Sequence, residues 1–147
     1  MMIMSEDIKN AIIYKLLEIF PDISVYKEAK TSLLYPHFFV YQINFSCEEE
    51  RKGYFFLDYS MDIRYRVASD SSTDLKLQQN LDNVSLLLFT YFDIIEINDL
   101  KIKCKNKRVE KVDGILHFLC DFRILCKLNK NEVFEKQNKL EVRIDGR

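Results

Sequence analysis

The chain has no tryptophan, only three glycines and only two prolines in 147 residues. So few glycines exclude a phosphate-cradling loop, and neither GxGxxG nor GxxxxGK[ST] occurs. No apolar run reaches the roughly 18 residues that mark a membrane span, so none is expected. An excess of one charge is missing too: Lys plus Arg is 22, Asp plus Glu is 23, and the net charge is −1. A chain that grips nucleic acid mainly through its phosphates is basic, so this balance argues against one. The opening residues Met1 to Asp7 lack a basic stretch followed by an apolar one. No signal peptide is therefore expected, and the chain is expected to stay in a cytoplasm.

What is present is structural. Hydrophobic residues make up 48% and charged residues 31%, the balance of a folded globular protein. The length predicts a single domain over residues 1–147. A chain of about 150 residues buries roughly 68–70% of its unfolded surface, enough for a real core. The cysteines, Cys47, Cys104, Cys120 and Cys126, show no CxxC spacing. The two histidines, His37 and His117, are not paired at metal-ligand spacing. Cys120 and Cys126 share a strand face with Phe118, Phe122 and Ile124, where a thiol acts as a small hydrophobe. Reduced thiols, no metal and no cofactor are expected.

The first expected element is a helix. Ser5 offers a cap, Glu6 and Asp7 suit its positive end, and Ile8, Ile12, Leu16 and Ile19 form one stripe. Phe20-Pro21 ends it, and Ile23 and Val25 read as a short strand. Residues 37–46 and 54–67 read as two long antiparallel strands. In the second, residues from Phe55 to Val67 alternate strictly between apolar and polar, the period of a half-buried strand. The stretch between them, Cys47 to Gly53, is charged and reads as an exposed loop. Ser69 to Asp74 is a polar turn. A second helix is predicted over about 73–92, with Leu77, Leu81, Val84, Leu88 and Tyr91 as its stripe and Leu87 widening it. Strands at about 99–110 and 115–128 follow, joined by Asp113-Gly114, a tight-hairpin dipeptide. After the polar link Asn129 to Lys139, Leu140 to Ile144 reads as a last short strand. The expected fold is α+β: a mostly antiparallel sheet with both helices packed on its apolar face. Leu57, Met61, Ile63, Phe118, Phe122 and Ile124 are predicted to meet Ile12, Leu16, Leu81 and Leu88 in the core.

Three sets of residues invite a functional reading. Lys52 to Tyr59 resembles the RNA-recognition octamer, whose strand aromatics stack on bases. Phe55 stands where that motif wants glycine or alanine, and the preceding stretch is too short for the helix that fold requires. Inward core aromatics explain the segment better. Lys101, Lys103, Lys105 and Lys107 alternate with Leu100, Ile102 and Cys104 and continue into Arg108, a basic stripe on one strand face. A solvated face that keeps an edge strand from mispairing accounts for it; docking in a ring or stack is the alternative. Asp58 and Asp62 share a polar strand face but are interleaved with Arg64 and Arg66, so surface pairing explains them. Asp93, Glu96 and Asp99 read as a solvated loop. No serine or cysteine lies beside an evident base, so no catalytic residue is assigned and no enzyme is expected.

Five segments carry a resemblance. They are Asp7 to Leu16 with Phe20-Pro21-Asp22-Ile23, Pro36-His37-Phe38-Phe39-Val40, Tyr59 to Tyr65, Val112 to Phe118, and Leu140-Glu141-Val142. In this order they resemble the tail terminator proteins of phages of Gram-positive bacteria and of phage-derived contractile tail particles. Tyr26-Lys27-Glu28 departs from the family pattern, which has a glycine after the tyrosine. The resemblance implies a structural protein with no reaction and no cofactor. It implies a homo-oligomer, a hexameric ring on the head-proximal end of the tail tube, that stops tube polymerisation. Its partners would be the tube protein, with sheath and neck or collar protein as further neighbours. Nucleic acid would meet it only as DNA passing the lumen where a head is attached; in a headless bacteriocin the ring would be the end cap. Assembly would take place in the host bacterial cytoplasm. The expected assembly contacts are Glu48, Glu49 and Glu50 on the charged loop and Lys101, Lys103, Lys105 and Lys107 on the basic strand. Opposite charges on a repeated head-to-tail interface would then set its register. Another tail or neck completion protein, or a small nucleic-acid-binding module, are the alternatives.

Overall fold

A computed structural model describes residues 3–29, 32–68 and 74–127. Helix α1 (Ser5–Ile19) is followed by β1 (Ser24–Tyr26), β2 (His37–Arg51) and β3 (Tyr54–Arg66). Helix α2 (Asp74–Tyr91) leads into β4 (Ile94–Ile97), β5 (Leu100–Val112) and β6 (Ile115–Lys127). The six strands form one sheet in the order β1-β2-β3-β6-β5-β4. Every pairing is antiparallel except β1 with β2. The expected Ser69–Asp74 turn lies almost wholly outside the described residues, as do the 129–139 link and the Leu140–Ile144 strand.

The helices start and stop for local reasons. Ser5 is the first helical residue and not the cap; Met4 takes that place. The cap comes from Asp7, whose carboxylate accepts the Met4 N–H at 2.8 Å and adds negative charge at the positive helix end. At the other end Phe20 N–H donates to the Leu16 carbonyl at 2.7 Å, and Pro21 prevents a further turn.

One face of the sheet carries the core. Leu57, Tyr59, Met61, Ile63 and Tyr65 of β3 are buried, as are Leu116, Phe118, Cys120, Phe122, Ile124 and Cys126 of β6. Ile8, Ala11, Ile12 and Leu16 of α1 and Leu81, Val84 and Leu88 of α2 pack on that same cluster. The ten residues predicted to meet in the core, from Leu57, Met61 and Ile63 to Leu81 and Leu88, are therefore all buried together. Two hydroxyls pin the layers: Tyr59 donates to the Ile3 carbonyl at 2.8 Å, and Tyr65 donates to Asn80 of α2 at 2.9 Å.

The α2 stripe differs from its expectation at the end. Tyr91 and Leu87 are exposed, and Phe92, one residue past the helix, is fully buried instead. Its N–H still bonds the Leu88 carbonyl at 2.9 Å, which swings the ring inward. There it meets Phe118 and Phe122 edge-on.

Two strand boundaries also differ. The expected 47–53 loop is strand: β2 runs on to Arg51, with Cys47 opposite Leu57, Glu48 opposite Phe56 and Glu49 opposite Phe55. Only Lys52-Gly53 turns, with Gly53 at φ 82°. Strand-favouring Tyr54 to Leu57 supply the partner, so cross-strand pairing overrides the weak propensity of three glutamates. The expected Asp93–Asp99 loop contains β4, which pairs with Leu100–Lys103 and buries Ile95 and Ile97.

A candidate assembly surface

Beyond the core the sheet divides. β6 pairs with β5 only from Phe122 backwards, whereas it pairs with β3 as far as Lys127. The far ends of β2, β3 and β6 therefore project as a three-stranded tongue. Its surface mixes apolar, acidic and basic groups, since Arg51, Lys52, Arg123 and Lys127 are exposed there too. Ile43, Phe45 and Leu125 are 55%, 45% and 51% exposed, beside Cys47 and the three glutamates, all exposed. Of the expected contact residues, Glu48 accepts from Arg123 at 3.0 Å and Glu50 lies 3.7 Å from Arg51. Glu49 is on the opposite face of the same strand from Glu48.

The lysine stripe is real for half its length. Lys101, Lys103 and Lys105 are exposed and alternate with buried Ile102 and Cys104, so they share the face away from the core. Lys101 sits across from Glu96 of β4. A bulge between Lys105 and Arg108 then shifts the register, with Asn106 at φ 55°. The extra residue turns Lys107 to the helix side. Its ammonium donates to Asp93 at 2.5 Å and to the Phe89 carbonyl at 3.0 Å, in the last turn of α2. A cation there answers the negative end of the helix dipole. Lys111 ties β5 to the first half of α2 through side chains, donating to Gln78 and Asp82. The structure thus brings Lys101, Lys103 and Lys105 together but keeps Lys107 within its own chain. It does not bring the glutamates of the tongue to the lysines of the same chain.

The uncovered sheet face holds ion pairs that sequence reading did not resolve. Asp62 is buried at 4% exposure on that face. It accepts from Arg64 Nε at 2.8 Å and from His117 Nδ1 at 3.0 Å, so its charge is satisfied twice. Asp58 lies 3.2 Å from Arg123 Nε. Ordinary pairing accounts for these carboxylates, as their interleaving with arginines implied. The partner His117 gave no signal, because it lies 55 positions from Asp62. His37 is buried with Nδ1 at 3.1 Å from the Leu34 carbonyl. Burial holds its pKa below the ordinary 6.5, and the Arg66 charge adds to this against the opposing Leu34 bond.

The open-face aromatics are occupied. Arg51 covers the Tyr54 ring at 4.2 Å, Arg123 covers Phe56 at 4.0 Å and Arg64 covers Tyr41 at 3.9 Å. The surfaces on which bases would stack are thus filled by the chain's own guanidinium groups. Among the described residues, no group of three or more histidine, cysteine or acidic side chains is placed to hold a metal ion. The cysteines are free thiols, with Cys47 exposed and the other three buried. Among the described residues, no helix is long and apolar enough to cross a membrane.

A family model described as phage tail terminator protein matches residues 7–134. The chain belongs to the phage tail terminator family. The match contains the segments at 7–23, 36–40, 59–65 and 112–118 that carried the resemblance; the 140–142 segment lies beyond it. No curated protein matches the chain. Family membership makes this a tail component, placed in a virion or tail particle, whose working surfaces are those that meet other tail proteins. The family is structural, in keeping with a surface built of edges and ion pairs.

Proposed function

We propose that this family member forms a hexameric ring on the head-proximal end of a finished tail tube. The ring halts addition of tube protein. In a phage it offers the surface for neck or collar protein, and DNA passes through its lumen. In a headless contractile particle such as a bacteriocin it is the end cap beside the last sheath ring. Assembly takes place in the host bacterial cytoplasm. No reaction, cofactor or metal takes part; surfaces mate. The family match over most of the chain carries this reading. The glutamates of the tongue and the lysines on the open face of β5 support it, since a closed head-to-tail ring needs two unlike, complementary patches on each subunit. Glu48 of one copy faces Lys101, Lys103 and Lys105 of the next, with Glu49 and Glu50 adding to the negative charge around it, while Lys107 holds α2 in place. Each exposed pair contributes only ~0–1 kcal/mol, but such pairs set orientation and encounter more than affinity.

Tail length tests the reading. Cells lacking the chain should make over-long tubes, and restoring it should return tails to their normal length. Labelled antibody should mark the head-proximal end alone. Tails of normal length without the chain would refute it. Reversing Glu48, Glu49 and Glu50 to Lys should lengthen tails, and reversing Lys103 and Lys105 to Glu in the same chain should restore them.

A further inference from the structure

A cavity opens where β1 stops. β1 pairs with His37 to Phe39 only, and from Val40 onward the outer edge of β2 has no strand partner among the described residues. The first stretch past that pairing is short, because the register shift between Gln42 and Asn44 ends it. A cavity of about 510 Å³ lies there, lined by Val40 and Gln42 and by the segment that leaves β1 at Lys27. Cations line it on both sides of the edge. Lys9 belongs to α1 and Lys27 bonds Asn10 of α1, so both lie on the helix side. Arg64 and Arg66 alternate with buried Ile63 and Tyr65, so both lie on the open side. None of the described residues that line the cavity is acidic. Two of the cations are engaged from outside it: Lys27 lies 3.3 Å from Glu6, and Arg64 Nε lies 2.8 Å from Asp62. Lys9 and Arg66 have no ion-pair partner among the described residues. The Gln42 side-chain oxygen is buried and has no hydrogen-bond partner among the described residues either, a state in which folded proteins leave few polar groups.

We infer that this cavity binds an extended segment of another tail protein, one that carries two adjacent acidic residues. Successive side chains of an extended chain point to opposite faces. A neighbouring pair of carboxylates therefore reaches Lys9 on one side of the edge and Arg66 on the other. The main chain of the segment lies along Val40 to Gln42, where the strand edge and the Gln42 oxygen offer it hydrogen bonds. Main-chain pairing supplies the affinity, and the cations select the sequence. The occupant is not a second copy. Adjacent acidic residues occur in this sequence only at Glu6-Asp7 and at Glu48 to Glu50. The first pair is in α1, and the second run is held in the β2–β3 hairpin. A phosphate backbone would meet the cations, but it has no donor for the Gln42 oxygen and no strand for the edge. Family membership supplies the class of partner, and the site does not depend on the ring reading.

Peptide binding to the whole chain tests it. The probe is a labelled peptide, Thr-Val-Asp-Glu-Val-Thr with blocked ends, followed by fluorescence anisotropy at low salt. Lys9→Glu and Arg66→Glu should each weaken binding at least tenfold. Lys52→Glu, at the exposed β2–β3 turn, should change it less than twofold. A probe with one acid replaced by its amide should stay sensitive to one of the two variants and lose sensitivity to the other. Gln42→Met should weaken binding without lowering the melting temperature, because the oxygen it removes is unpaired in the free chain. No binding by a chain with the natural melting curve would overturn the inference. Equal losses in Lys9→Glu, Arg66→Glu and Lys52→Glu would overturn it too, since only overall charge would then be at work. So would oligothymidylate binding that falls with Lys9→Glu and Arg66→Glu where the peptide does not bind. A chain that restores tail length but fails to bind the probe refutes this site and leaves the ring reading. A chain that binds the probe but is absent from tube ends refutes the ring reading and leaves this site.

Discussion

Phe122 is fully buried, with Phe92 edge-on at 6.4 Å, and lies opposite Tyr59 on β3 and Cys104 on β5. It lies where three strands meet under the helices. Phe122→Ala should therefore cost about 3–5 kcal/mol, read from denaturant unfolding. An unchanged midpoint would refute its central place. His37 gives a second residue-level expectation, with a sign. Burial holds its folded pKa below 6.5. Below that ordinary value the unfolded chain takes up a proton that the folded chain resists, so stability present at neutral pH falls as pH drops. The fall in melting temperature from pH 7.5 to 5.5 should be smaller in His37→Gln than in the natural chain. Equal falls would show that His37 does not contribute. The core side of this picture was legible in the sequence, because a period of two over β3 and β6 fixes which side chains point inward. Asp62 with His117 was not, since nothing local to either residue records a partner on another strand.

At the scale of elements, legibility followed regularity. Asp113-Gly114 was read correctly as a tight turn, and both residues have positive φ, 53° and 75°. Such a turn matches the twist of the strands it joins. The Glu48–Arg51 end of β2 escapes the sequence reading because its own residues do not favour strand, and Phe55 and Phe56 across the sheet impose it. β4 escapes it for another reason: three of its four residues are isoleucine, but they lie among Asp93, Glu96 and Asp99, which read as a solvated loop. The bulge at Asn106 was missed because a lysine at every second position looks like an unbroken strand. The two hairpin turns should respond differently to alanine. Gly53 has φ 82° and Gly114 has φ 75°, so a side chain at either costs about 1–2 kcal/mol locally. Gly114 lies beside Leu77 of α2, within the packed body. Gly53 closes a tongue that projects past the core and opens at less than the global cost. Gly114→Ala should thus lower the melting temperature by about 3 °C or more. Gly53→Ala should move it little while lengthening tails. The reverse pattern would mean that the tongue belongs to the core.

For the whole molecule, the α+β class and the helix-on-sheet layering follow from the order and period of the elements, and the structure agrees with them. What no single chain's sequence records is which edge awaits a neighbour, because an edge is defined by the pairing that stops. The thiols report that edge directly. Cys47 sits exposed on β2, while Cys104, Cys120 and Cys126 are buried on the core side. A bond with Cys104 and then burial push the Cys120 thiol well up, which removes the reactive thiolate. In the free chain a thiol reagent should therefore label Cys47 at once. The other three wait for opening, Cys126 first, since it lies opposite Phe55 towards the tip of the tongue. All four should titrate in the unfolded chain without reductant, and fewer would reveal a disulfide. In assembled tails the expectation changes at one residue only. A neighbouring copy seated on the tongue at Glu48 covers Cys47 beside it, so its labelling should slow at least tenfold, while Cys104 and Cys120 stay as slow as before. If Cys47 on tail-bound chains reacts as fast as in the free protein, the β2 edge stays open in the particle, and subunits of the ring must meet elsewhere.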